Sequence, residues 1–321
     1  MRHRGPVPDP VPPVAVAPPA SRWRRLRASD LWFDFVHAPL AVVAVVVALL
    51  CLGAALFAPW LAPHDPFDLA TLDLADSHLP PAWLPDGRAT YPLGTDDQGR
   101  DILSALFYGA RISLAVGLCS VALSVLVGVA AGLVAGFAGG VVDAALMRLC
   151  DVMLSFPSIL VALMIDGVGR LVFPRAHDVL AFGVLVFALS FTEWVRYART
   201  VRGSTLVERD KEYVQAARLI GLSRARLLRR HVLPNVLGPV LVLATLQVGQ
   251  AIVAEATLSF LGVGVPPTHP SLGTLIRVGN DFLYAGEWWI TVFPGAALVL
   301  IAMSVNLLGD WLRDALNPRL R

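Results

Sequence analysis

The chain has 321 residues, of which 56% are hydrophobic and only 16% charged. Soluble domains carry an apolar share of about 45–50% even with glycine counted, so this composition excludes a soluble globular protein and points to an integral membrane protein. The net charge of +2 gives no ground for a nucleic-acid partner, and the three cysteines, Cys51, Cys119 and Cys150, lie in or beside apolar spans and imply no disulfide framework.

Residues 1–29 hold seven prolines before position 20 and the basic cluster Arg22, Arg24, Arg25 and Arg27. Such a segment buries no core, so residues 1–30 are expected to be a disordered cytoplasmic tail whose cluster lies near anionic lipid headgroups, with Trp32 and Phe33 at the interface. Six apolar spans follow, at about 39–61, 112–137, 144–165, 179–195, 235–261 and 288–309. Each is near the roughly 17–25 residues that a crossing helix needs. The first is too long for a secretory h-region and no small-x-small cleavage site follows it, so it reads as a retained anchor.

Positive charge is distributed unevenly about these spans. Six Lys and Arg precede the first, one (Arg148) follows the second, ten lie in 196–230 and three at the C-terminal end, whereas the three alternate loops hold three, two and one. The positive-inside rule therefore predicts both termini and the ten-charge loop in the cytoplasm.

The first outer loop, about 62–111, contains Pro92-Leu-Gly-Thr-Asp-Asp-Gln-Gly-Arg-Asp101 and then Gly109-Ala-Arg-Ile-Ser-Leu114. Gly94 and Gly99 permit turns that Asp96 or Asp97 can cap, and Arg100 can pair with Asp101 or a neighbouring loop. The block of Gly94, Thr95, Asp96, Asp97, Gly99, Arg100 and Asp101 has a structural role or, alternatively, touches an external partner or substrate. His64, Asp65, Asp68, Asp73, Asp76 and His78 in the same loop match the spacing of no closed metal site, and a solvated acidic loop is the simpler reading.

In the second span Gly128, Gly132 and Gly136 place a small residue every four positions, a groove that admits another helix closely. Arg148 and Asp151 in the third are three apart and are expected to pair near its cytoplasmic end, and Pro157 is expected to kink that helix. Glu193 ends the fourth span. Glu255 is the most deeply placed acid of the fifth, and an intramembrane carboxylate faces either the translocation path or a neighbouring helix. Asn306 stands near the end of the sixth.

Between the fourth and fifth spans, residues 207–237 are strongly polar and must lie outside the bilayer. Tyr213, Ala216, Ala217 and Ile220 recur at spacings of three and four, which predicts an amphipathic helix over about 208–219 with these on its apolar face. Gly221 stops it by accepting the left-handed conformation, and Ser223 is placed to cap a second helix over 224–232. Pro234, which has no N–H, is expected to end that second helix. The product is a helix–glycine–helix elbow, basic on its outside.

Gln215-Ala216-Ala217, Gly221 and His231-Val232-Leu233-Pro234 resemble, with the same spacing, the E-A-A-x-x-x-G-x9-I-x-L-P loop of the permease subunits of ABC-type importers. Gln215 stands where that motif has Glu, which puts one ion pair in question, and His231 where it has Ile; a histidine there is usual in the family's peptide and nickel branch. The 92–101 block resembles that branch's L-G-T-D-x-x-G-R-D segment. Met147-Arg148 with Asp151 and Phe156-Pro157, the stretch Ala254 to Gly262, and Asn306 to Asp314 resemble further family stretches.

This resemblance, which runs from about Leu31 to Arg319, implies an all-α integral membrane protein of the type I ABC importer permease fold, with six transmembrane helices and a cytoplasmic coupling elbow. The implied divisions are a proline-rich tail (1–30), an N-terminal helix with a long extracytoplasmic loop (31–111), a permease domain (112–310) and a cytoplasmic C-terminal tail (311–321). The implied partners are a homologous permease, two ATP-binding subunits that use ATP and Mg, an extracytoplasmic solute-binding protein and membrane lipids, in the cytoplasmic (inner) membrane of a prokaryote. Glu212, Gln215, Ala216, Ala217, Gly221, His231, Leu233 and Pro234 would dock on an ATPase. Arg148, Asp151, Glu193, Glu255 and Asn306 would lie along the path or between helices.

Di- or oligopeptides are the substrate class that the resemblance favours, with nickel as the alternative. The single lysine, Lys211, follows Asp210 and belongs to no phosphate-binding loop, so the chain is not itself expected to hydrolyse ATP and needs no cofactor or metal of its own. An ion-coupled secondary transporter is the competing class; it would show internal repeats and more acids within its spans.

Overall fold

The computed structural model describes residues 34–68, 72–174, 176–266 and 268–315. The expected tail of residues 1–30, with Trp32, Phe33 and most of the C-terminal tail, lies outside them. Among the described residues all regular structure is helical, apart from one isolated antiparallel bridge between Thr95 and Asp101.

Besides one short turn of helix at Ala58–Leu61 and two 3-10 turns, the helices are α1 (Pro39–Leu56), α2 (Ile102–Ala138), α3 (Gly140–Leu154), α4 (Ser158–Val172), α5 (His177–Arg209), α6 (Glu212–Leu219), α7 (Arg224–Leu227), α8 (Leu233–Phe260), α9 (Leu272–Phe282) and α10 (Trp289–Ala315). Five segments, α1, α2, α5, the α7–α8 run and α10, are each long and apolar enough to cross a membrane. The pair α3 and α4 makes the sixth span if the two are counted together.

This pair corrects the expected third span. Pro157 does not bend one helix but separates two, at an angle of 88°. It caps α4 in an extended conformation, ψ 125°, and it has no N–H to continue the ladder of α3. Two other helices outrun their apolar spans. α2 starts at Ile102, ten positions before the expected 112, because Asp101 accepts from the Ser104 N–H at 2.9 Å and so satisfies an orphan donor. α5 continues past 195 to Arg209, where charged side chains find partners on neighbouring helices.

α2 is the central post and α1 the periphery: 44% of the apolar stretch of α2 is buried against 17% of that of α1. The glycine groove is filled by α5. A Cβ added at Gly128 would stand 2.5 Å from Tyr197 Cβ, and one at Gly136 would stand 2.7 Å from Thr205 Cβ. One apolar cluster joins Ala55 of α1, Ala105 and Leu114 of α2, Ile252 of α8, Leu272 of α9 and Ile301 of α10. A second joins Tyr197 and Val201 of α5 to the elbow residues Val214, Ala217, Leu227 and Val232 and to Val236 of α8, so the elbow is welded to the bundle by its own core.

Candidate functional site

In the elbow, α5 ends at Arg209 and the chain breaks at Asp210 and Lys211 before α6. Lys211 Nζ lies 2.7 Å from Glu208 Oε2, and the hydrogen bond to that carboxylate raises the lysine pKa. Gln215 Nε2 donates to the Asp210 carbonyl at 3.0 Å, a bond that a glutamate at this position does not donate. The break also resets the phase of α6. Its inward face is Val214 and Ala217, while Tyr213, Ala216 and Ile220 of the expected apolar face are exposed.

Glu212 is exposed in the first turn of α6. Leu219 and Ile220 are 89% and 78% exposed, so the elbow carries an uncovered apolar tip beside Ala216. Gly221 turns the chain with φ +79°, as the sequence predicts. The expected side-chain cap from Ser223 does not form.

Pro234 does not end the second helix. Residues Leu228–Val232 widen into a π-turn, in which the Leu233 N–H bonds the Leu228 carbonyl, and α7 runs through it into α8. The wider turn accommodates the proline ring and the missing donor. The His231 carbonyl accepts from Asn235 Nδ2 at 2.8 Å and from Tyr213 Oη at 3.3 Å. Asn235 Nδ2 also donates to Tyr213 Oη at 2.9 Å, so the two legs of the elbow are tied by residues outside the recognised motif.

Arginines of α5 supply the ion pairs at this end of the bundle. Arg148 and Asp151 do not pair: Asp151 Oδ1 accepts from Arg199 Nη2 at 2.6 Å, and Arg148 is exposed. Asp143 is gripped by Arg202 through Nε at 2.5 Å and Nη2 at 2.6 Å, a bidentate pair. Arg209 Nη1 caps the Gly136 carbonyl at 2.7 Å.

Within the bundle, Glu193 of α5 accepts from Gln247 Nε2 of α8 and pairs with Arg196 Nε at 3.2 Å. Glu255 is fully buried and faces neighbouring helices. Its oxygens accept from Ser113 Oγ of α2 and Ser259 Oγ of α8, both at 2.7 Å, while Ser113 Oγ also takes the Leu272 N–H at the start of α9. Asn306 of α10 lies against Gly249 of α8.

At the opposite end, the 94–101 block forms a closed knot. Asp96 Oδ1 accepts from the Gln98 and Arg100 amides, both at 2.9 Å, and Asp96 Oδ2 from Arg100 Nε at 2.7 Å. Arg100 thus pairs with Asp96, while the Asp101 carboxylate is taken by the start of α2. Gly94 and Gly99 hold φ +84° and +76°. Thr95 Oγ1 accepts from the Leu79 amide at 2.9 Å, and the Thr95 carbonyl accepts from Trp289 Nε1 at 3.2 Å, which fastens the knot to α10.

Asp97 is half-buried beside this pair, and burial, followed by repulsion from Asp96, pushes its carboxyl above the usual range against the opposing pull of Arg100. The loop acids are engaged separately: Asp73 by the Ala75 amide at 2.9 Å, Asp76 by Tyr91 Oη at 3.0 Å and by Arg88, and His78 Nδ1 by Glu287 Oε2 at 2.6 Å. No cluster of three or more His, Cys, Asp or Glu placed to hold a metal ion is present among the described residues.

A multi-pass helical bundle, one end knotted and the other carrying a packed elbow with an exposed tip, defines a membrane transport subunit. Residues 128–321 match the family described as binding-protein-dependent transport system inner membrane component, and residues 21–81 match the N-terminal TM domain of oligopeptide transport permease C. The chain is 39% identical to the di/tripeptide transport system permease protein DppC of Pseudomonas aeruginosa (strain UCBPP-PA14), over 91% of this chain and 92% of that protein. It is 40% identical to the dipeptide transport system permease protein DppC of Escherichia coli (strain K12), over 91% and 93%.

Among solved structures, an inward-facing form of the MetNI methionine ABC transporter matches with a TM-score of 0.53 at 18% identity, covering 66% of this chain and 96% of that one. That likeness shows a shared fold, the type I permease arrangement. The chain belongs to the binding-protein-dependent transport system inner membrane component family, and it is a multi-pass permease subunit of the inner membrane.

Proposed function

We propose that this chain is one of two homologous permeases of an ATP-driven importer of di- or oligopeptides, working with two ATP-binding subunits and an extracytoplasmic solute-binding protein. Its elbow, 208–234, couples ATP binding to movement of the bundle, and both termini and the elbow lie in the cytoplasm. The observation that carries the coupling reading is the elbow itself. Its inner face is packed into the bundle while Ala216, Leu219 and Ile220 stand uncovered at its tip, an apolar knob that fits a groove on another protein. ATP and its Mg are used by the partner subunits, since the sequence offers no phosphate-binding loop.

Peptides are favoured over nickel by the relatives, whose names specify dipeptide and di/tripeptide transport at 37–40% identity. The test is import of a labelled tripeptide by cells with and without this chain, together with co-purification of its partners. Loss of peptide uptake on deletion, with two ATPases and a second permease in the purified complex, is the expected result. Unchanged peptide uptake with loss of nickel uptake overturns the substrate, and a chain that transports alone overturns the coupling.

A further inference from the structure

We propose that Glu193 receives the positively charged amino terminus of the transported peptide, in a small, mainly apolar cavity that α2, α4, α5 and α8 close around it; this deepens the peptide-import reading and rests on it. The cavity measures about 40 Å³, and Glu193, Gln247 and Gln250 line it together with the hydroxyl-bearing Ser120, Ser158, Thr192 and Tyr197 and with apolar side chains. One water takes about 10–15 Å³ on this measure, so the space admits about three water-sized groups. An ammonium and its attendant water fit, and the body of a peptide does not.

Glu193 stands near the end of its span, three residues before Arg196, and an ionisable group within a span marks a functional position by default. Here the acid is oriented. Gln247 donates through Nε2 to Glu193 Oε2 and accepts through Oε1 from Arg196 Nη1 at 3.2 Å, so its amide has one way round. Arg196 Nε approaches the same Oε2 at 3.2 Å. Both partners therefore use one oxygen, and Oε1 of Glu193 makes no hydrogen bond among the described residues. Arg196 is itself 54% exposed and can be replaced as counter-ion.

When an ammonium arrives, the half-exposed Arg196 guanidinium swings toward solvent, so the carboxylate keeps a single counter-ion. Gln250, one turn from Gln247 on α8, lines the same cavity and can bond the first peptide group. The amino terminus is the one cation that every linear peptide carries. A site that reads it alone is indifferent to side chains, as an importer of mixed peptides requires.

The test uses the whole complex of this chain with its partner permease and ATPases in nanodiscs, without the solute-binding protein, titrated with trialanine and with N-acetyl-trialanine and followed by saturation-transfer NMR. Trialanine is expected to bind at least about tenfold more tightly than its acetylated form, the ratio for loss of one charge-assisted hydrogen bond. Glu193→Gln should abolish that difference and Glu193→Asp should retain it.

Equal binding of the two peptides by the wild type, or a preference that survives Glu193→Gln, overturns the site. The wild-type comparison decides even where the Gln variant does not assemble. Import into proteoliposomes with the binding protein added separates this site from the reading beneath it. If trialanine is imported equally by wild type and Glu193→Gln, the site alone falls; if the wild type imports another solute and no peptide, peptide import falls and the site with it.

Discussion

Gly132 of α2 lies directly against the backbone of Ala198 of α5: a Cβ at position 132 would stand 2.5 Å from the Ala198 carbonyl oxygen. With Gly128 and Gly136 above and below, the two helices meet backbone to backbone for about two turns. Close approach of this kind is what holds helices together where lipid removes the hydrophobic drive between them. Gly132→Leu must push α5 away, and overpacking costs about 1–3 kcal/mol. The expected outcome is a lower melting temperature and less monodisperse protein in detergent chromatography, with Gly132→Ala intermediate. A Leu variant as stable as the wild type would show that this contact does not set the bundle.

Gly221 offers a cleaner separation of backbone from packing. Its added Cβ would meet nothing within 4 Å, so a substitution there acts through φ +79° alone. Left-handed backbone costs about 1–2 kcal/mol for most residues and less for Asn. Gly221→Val should leave membrane insertion intact but reduce ATPase stimulation by solute-loaded binding protein several-fold, whereas Gly221→Asn should stay near wild type. Normal stimulation in the Val variant would remove the elbow from coupling.

Asp101 caps the helix on which everything else leans. Asp101→Ala leaves the Ser104 amide, now bonded at 2.9 Å, without its acceptor, a loss of about 0.5–2 kcal/mol at an N-cap. Thermal unfolding in nanodiscs should show the drop, and Asp101→Asn should recover most of it. No drop in the Ala variant, or no recovery by Asn, would show that this cap does not anchor the start of α2.

Asp97 gives the outer knot a pH dependence of known sign. Its folded carboxyl is raised, by burial first and by Asp96 second, so the folded knot holds that proton more tightly than the unfolded chain does. Stability from this group is present in acid and is lost as pH rises through the folded value. Asp97→Asn should therefore raise the melting temperature at neutral pH and flatten its change toward mildly acidic pH. A variant less stable than wild type at neutral pH would contradict this.

Local rules made part of this molecule legible and long-range ones hid the rest. Gly94, Gly99 and Gly221 were readable because left-handed turns depend on a few adjacent residues, whereas the Asp101 cap was missed because the true start of α2 lies ten positions before the expected span at 112. The Arg148–Asp151 pairing failed since spacing along one helix says nothing of the guanidinium that Arg199, 48 positions on, brings from α5. Glu255 was marked as buried chemistry, but its partner Ser113 is 142 residues away and carries no signal of its own. The face of α6 was misphased because the break at Lys211 starts a new helix there. Tyr213 was read only as part of an apolar face and Asn235 was passed over, because their hydrogen bond joins residues 22 positions apart.

That π-turn has one more effect. Because Pro234 fails to interrupt the chain, residues Arg224–Phe260 form one rod of 37 residues, about 55 Å long at 1.5 Å per residue. Its lower end is the elbow, and its upper end holds Glu255, which clasps α2 and the start of α9. A rocking of about ten degrees at one end displaces the other by about 10 Å over such a length. The proline that looked like a stop thus sits inside one continuous helix, which with Pro239 also within it reaches from the elbow to the Glu255 clasp.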